Sequence, residues 1–114
     1  MEVEIVMVQT KPPSKLKVGY RDYTVQVVDT FGSSGQFGEC NHATGVIQYK
    51  PVSNSIENVN TILHETLHAC VYVFGMHKNL DHDAEEYVVN TLTNALIGVF
   101  KDNPKLLTYI KDNL

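Results

Sequence analysis

The sequence contains no run of basic residues, and its 13 acidic side chains outnumber its 9 lysines and arginines, for a formal net charge of −4. That balance argues against nucleic acid as the main ligand, because binding a phosphate backbone needs a positive face. Cysteine is scarce. Cys40 and Cys70 lie far apart, so no disulfide framework is implied, and a reducing compartment suits the chain. No apolar run approaches the ~20 residues that a membrane-spanning helix needs. The opening residues, MEVEIVMV, carry acids where a secretory signal carries bases, and no small-residue cleavage site follows. Repeats and low-complexity segments are absent. The expectation is a soluble cytoplasmic protein with neither a membrane nor a nucleic-acid partner. At 114 residues and 43% hydrophobic content it is one small domain with one core.

What is present divides into two halves. The first half has strand character. Residues 2–8 alternate acids with Val3 and Ile5, as a strand with one wet face does. Lys11-Pro12-Pro13-Ser14 is a break. Residues 23–28 (YTVQVV) are β-branched and aromatic. Gly32-Ser33-Ser34-Gly35 is a loop. Residues 36–40 and 46–49 form a hairpin around Asn41 to Gly45, with Gly45 at the permissive turn position. These segments predict a small, mainly antiparallel sheet of three or four strands. Tyr20 and Tyr23 read as sheet packing rather than a binding platform.

The second half is helical. Ile56, Val59, Leu63, Leu67, Cys70 and Phe74 recur every three or four residues, which predicts one buried stripe of a helix. Asn54 with Glu57 fits a capping box at its start, and Gly75 fits its end. A second helix is predicted over 83–101, with Val88, Leu92, Ala95, Leu96 and Val99 inward. Asn103-Pro104 breaks it. A short terminal helix follows, expected to pack back through Leu106, Leu107 and Ile110. The whole reads as an α+β fold, an N-terminal sheet packed against helices.

Within the first helix stands His64-Glu65-Thr66-Leu67-His68, an HExxH motif. Residues at i and i+4 share one helix face. Two imidazoles so placed can hold one Zn²⁺, and the adjacent Glu65 can act as general base on a metal-activated water. The plain alternative is a helix with two exposed histidines and a solvated glutamate. His64 and His68 border Leu63 and Leu67, a position anchored by the core yet open to substrate, which suits a metal site.

A catalytic zinc usually takes three protein ligands. The position six residues after His68, where a metzincin carries histidine, is Phe74. The remaining options for a third ligand are His77, His82, Glu85 and Glu86. Periodicity sets Glu85 nearest the centre of the second helix's apolar stripe, with Glu86 about 100° round. Asn90, one turn after Glu86, offers a polar group for a ligating histidine. Against a metal role, Asp83 and Glu86 alone would make a capping box. Cys40 could ligate as a thiolate, but a small buried strand residue is the better reading. Cys70 falls on the first helix's apolar stripe and reads as core.

HETLH, the following helix that opens with a glutamate, and the N-terminal sheet together resemble the gluzincin metallopeptidases. Gly38-Glu39-Cys40, the Ile47 to Tyr49 strand, ILHETLHA and the run EEYVVNTLTNALIGVFKDNP look closest to small phage and prophage proteins related to the ImmA/IrrE-type peptidases. The resemblance covers most of residues 36–104. It implies a minimal zincin-like domain with Zn²⁺ on His64, His68 and Glu86, and Glu65 as general base in peptide-bond hydrolysis. It also implies a protein or peptide substrate added as a strand beside the zinc helix, for which Val46–Tyr49 is the expected edge. Tyr72, His77 and His82 are the options for a second donor to the oxyanion. A competing reading keeps the zinc but makes the chain a non-catalytic interaction module, or a phage accessory protein that docks to a partner.

Overall fold

In the computed structural model, which describes residues 10–31 and 35–114, four strands and three α-helices form an α+β fold with the sheet N-terminal to the helices. The expected strand at 2–8 lies outside the described residues. The strands are β1 (Lys15–Val18), β2 (Arg21–Val27), β3 (Gly38–Asn41) and β4 (Val46–Tyr49). Their order in the sheet is β1-β2-β4-β3. The β1/β2 and β3/β4 pairs are antiparallel, and β2/β4 is parallel.

Two hairpins build this sheet. Val18 pairs with Arg21, which leaves a two-residue turn of Gly19 and Tyr20, and Gly19 takes φ +60° where such a turn needs a positive φ. β1 was not expected from the sequence, because four residues next to a proline break give too short a period-2 signal. The second hairpin matches the expected 41–45 turn. Its Asn41 side chain accepts from the Thr44 N–H at 3.1 Å, and Gly45 has φ +70°.

The sheet order corrects one expectation. β4 is internal, flanked by β2 and β3, so the edge nearest the helices is β3 and not Val46–Tyr49. A parallel β2/β4 pair needs a crossover connection, and here β3 is part of that crossover and ends up outside.

Helix α1 (Ser55–Val73) begins where the Asn54 side chain accepts from the Ile56 and Glu57 N–H groups, and Gly75 follows its end with φ +79°. Val18, Tyr23, Val25, Ile47 and Tyr49 of the sheet pack with Ala69, and Leu16, Cys40, Ile62, Cys70 and Val73 join from the margin. Burying this set supplies the main drive to fold, at roughly 25 cal/mol per Å² of apolar surface. The inward face of α1 is not the expected stripe. Ile56, Val59 and Phe74 are exposed, while Glu65, His68, Ala69 and Val71 are buried. The buried face carries polar site residues, and of the expected stripe Leu63, Leu67 and Cys70 are half-buried, so hydrophobic periodicity pointed away from the most buried side.

Helix α2 (His82–Asp102) lies against α1, and Asn60 donates to Asn94 across the pair at 2.8 Å. Val89 and Thr93 are its buried residues, whereas Leu92, Ala95 and Val99 are exposed. The inward face is thus one position round from the expected stripe. Helix α3 (Pro104–Asn113) corrects another expectation. It does not pack back: Leu106, Leu107 and Ile110 are exposed, as is every other residue of the helix. Only Asn103 separates it from α2, and reversing an α-helix onto its neighbour takes a loop of two or more residues.

Candidate metal centre

The i, i+4 spacing on α1 brings the two HExxH histidines together, with His64 Nε2 and His68 Nε2 3.1 Å apart. Helix α2 delivers the Glu86 carboxylate to the same point. Its Oε1 is 3.0 Å from His68 Nε2 and its Oε2 is 3.8 Å from His64 Nε2. Donors bound tetrahedrally at 2.0–2.1 Å stand about 3.3 Å from one another, and the three observed separations bracket that value.

Glu85, one residue earlier, reaches the other side of the ring. Its Oε2 lies 2.6 Å from His68 Nδ1. His68 Nδ1–H donates there, so Nε2 turns its lone pair toward His64 and Glu86. Three acceptors then face one another. A proton on His64 Nε2 would relieve one contact; a cation relieves all three. Burial, with His68 adding and Glu86 opposing, lowers the His64 pKa, which keeps its ring neutral as a ligand must be. The donor set could therefore hold a metal ion.

The expected roles on α2 need two corrections. The partner of His68 is Glu85, while Asn90 is exposed. The cap of α2 is Asp81, whose side chain accepts from the Ala84 N–H at 2.7 Å, so the Asp83 and Glu86 capping box is not what opens the helix.

Glu65 points between α1 and β3 and is only 7% exposed. Its carboxylate belongs to a tight group with His64 and His68, ligand atoms all within 4.8 Å of one another. Glu65 and Glu86 thus both lie close to the imidazoles. Glu86 is the better third ligand, because its oxygens face both Nε2 atoms, whereas Glu65 is held against the sheet. There Gly38 makes room: a Cβ on Gly38 would stand 2.7 Å from Thr61 Cγ2 and 2.8 Å from Glu65 Oε2. Burial pushes the Glu65 pKa up to about 7, with His68 opposing and Glu86 and Glu39 adding.

A cleft of about 560 Å³ opens over these groups, walled by β3, α1 and the start of α2. His77 and His82 both line it, but neither is paired with the Nε2 cluster. The His77 ring stacks on Tyr72 with centroids 4.8 Å apart, and its Nδ1 is buried without a partner. His82 is exposed at the start of α2. Tyr72, one turn beyond His68, has His42 stacked on it as well, at 4.2 Å and 4°.

His42 was missed in the sequence. It sits in the β3–β4 turn, where no periodic signal exists, and only the folded hairpin carries it to Tyr72. Its Nδ1 lies 3.2 Å from Tyr23 Oη and 3.6 Å from Cys40 Sγ. The Cys40 thiol, half-buried at the cleft and packed against the core, is pushed up to about 12, chiefly by burial with Glu65 adding.

β3 offers the cleft a row of main-chain groups. The Lys50 N–H donates to Phe37 O and the Gly45 N–H to Asn41 O, and Glu39 pairs with Gln48. Residues 37, 39 and 41 thus turn their main chain toward β4. By the alternation of antiparallel pairs, Gly38 and Cys40 turn theirs to the open edge. The Gln36 side chain donates to the Gly38 carbonyl at 3.0 Å.

No helix among the described residues is long and apolar enough to cross a membrane. Comparison of the chain with protein-family models, with curated proteins and with solved structures found no match.

Proposed function

We propose that this chain is a zinc-dependent metallopeptidase of gluzincin type, with His64, His68 and Glu86 as ligands and Glu65 as general base. The observation that carries the reading is the convergence of three acceptor groups from two helices, 3.0–3.8 Å apart, beside the buried Glu65 carboxylate. The resemblance to phage and prophage peptidases of the ImmA/IrrE type supports it, and suits action in the cytoplasm of a host cell.

Bound zinc would acidify a water and polarise a carbonyl. The protein's own groups do the rest. Glu85 holds His68 in the tautomer that presents Nε2. Glu65 takes a proton on its carboxylate and hands it to the leaving amine. β3 receives a peptide backbone along Gly38 and Cys40, by strand addition at an open edge. Tyr72, His77 and His82 border the cleft and are the options for a donor to developing negative charge.

A second reading is favoured by α3, whose every residue is exposed, including Leu106, Leu107, Tyr109 and Ile110. An apolar helix face of that kind suits docking to a partner, and the zinc site would then be structural. One experiment separates the two. Metal per chain is measured by plasma mass spectrometry on untagged wild type, Glu86→Ala and Glu65→Gln, alongside hydrolysis of a peptide library. The peptidase reading expects about one zinc in wild type, little in Glu86→Ala, and zinc without turnover in Glu65→Gln. An active Glu65→Gln variant, or wild type that refuses zinc, would sink it.

A further inference from the structure

Charge in the cleft is one-sided. Glu39, Glu65, Glu85 and Glu86 line it, and among the described residues no lysine or arginine does. Arg21 stands behind the wall and is committed to it: it donates to the carbonyl of cleft-lining His42 and lies over the rings of Tyr23 and of cleft-lining Tyr72, at 5.0 and 5.7 Å. Three of the glutamates already have tasks at the proposed metal centre. Glu39 remains. It is exposed on the edge strand.

The strand register says what Glu39 can touch. Gly38 faces α1, since a Cβ there would meet Thr61 and Glu65, and Cys40 packs on the core from the same side. Glu39, between them, points to the opposite face of the sheet. A peptide laid antiparallel on β3 would bond to the main chain of Gly38 and Cys40. One of its residues would then stand opposite Glu39 in a non-hydrogen-bonded pair, the closest cross-strand arrangement for side chains. Because Glu65 reaches Gly38, that residue is within one or two positions of the bond on which Glu65 acts.

We infer that Glu39 selects a lysine or arginine in the substrate at the residue facing it. The inference rests on the peptidase reading for its placement beside the scissile bond. Opposite charges in such a pair favour each other, like charges do not, and an acid-lined cleft draws cationic chains toward it.

A degenerate nonapeptide library tests this. It is passed over immobilised, zinc-loaded Glu65→Gln protein and over the same protein with Glu39→Lys added, and retained peptides are sequenced. Circular dichroism checks that the exposed substitution leaves the fold intact. The expected result is at least threefold enrichment of Lys and Arg, with depletion of Asp and Glu, at one position. Higher salt should narrow that preference, and Glu39→Lys should abolish or invert it. An absence of charge preference, retention of no peptide, or an unchanged preference in Glu39→Lys overturns the inference. Wild type is then given the same library. Charge selection that follows Glu39 without any cleavage would retain the selectivity and remove the peptidase reading.

Discussion

Glu85 Oε2 lies 2.6 Å from His68 Nδ1, and this one contact decides which nitrogen of His68 faces the cleft. Without it the imidazole can carry its proton on Nε2, the atom proposed to bind metal. Glu85→Ala is therefore expected to lower zinc affinity by about 10- to 100-fold, the range typical for loss of a carboxylate behind a ligating histidine. Competition against a fluorescent chelator measures this directly. Equal affinities in wild type and variant would show that Glu85 does not set the tautomer.

Gly38→Ala probes the contact between strand and helix. The new methyl would sit 2.7 Å from Thr61 Cγ2 and 2.8 Å from Glu65 Oε2, closer than real atoms allow. Relief requires Glu65 to move or β3 to lift from α1. Overpacking of this kind costs about 1–3 kcal/mol. Urea denaturation should register that loss, and peptide hydrolysis should fall much further than stability, because the displaced group is the one proposed as base. A variant as stable and as active as wild type would contradict the packing described here.

The Glu65 carboxyl, pushed from its ordinary 4.5 up to about 7 chiefly by burial, makes metal-free stability depend on pH. The folded state holds this proton more tightly than the unfolded chain does. Its contribution is full below about pH 4.5 and is lost as pH rises toward 7. Relative to Glu65→Gln, the metal-free protein should lose about 3 kcal/mol across that window. Urea titrations in chelator at a series of pH values give the two curves, and parallel curves would refute the assignment.

Removal of residues 104–114 should leave the fold intact. Every residue of α3 is exposed, so its deletion takes little from the core, and the unfolding temperature should change by no more than a few degrees. Zinc binding should be unaltered, since no α3 residue lines the cleft. A large loss of stability in dilute solution would mean that α3 is covered by contacts absent from the single chain.

The sequence exposes the metal motif more readily than its setting. His64, Glu65 and His68 are legible because their spacing is local, and a helix turns i, i+4 into adjacency without further help. Glu85 and Glu86 are harder. They are neighbours in the chain, and only the rotation of α2 against α1 assigns one to Nδ1 of His68 and the other to the Nε2 cluster. The same rotation moves burial to Val89 and Thr93, one residue away from the stripe that hydropathy suggests. On α1 the buried face holds Glu65 and His68, which any hydrophobic scale counts as surface. The strands at 21–27, 38–41 and 46–49 follow from composition and turn chemistry, but their lateral order is non-local, so β4 looked like an edge. His42 reaches Tyr72 through tertiary folding alone, and no local pattern marks it.

The missing side chain at Gly38 has a mechanical consequence. Sheet and helix would normally be separated by a layer of side chains that lets them slide slightly past each other. At Gly38 the strand adds nothing to that layer, and the side chains of Thr61 and Glu65 fill the space that a Cβ would take. With β3 seated this closely on Glu65, sheet and helix have little room to slide there, so a chain gripped by the strand would keep a fixed distance to that carboxylate.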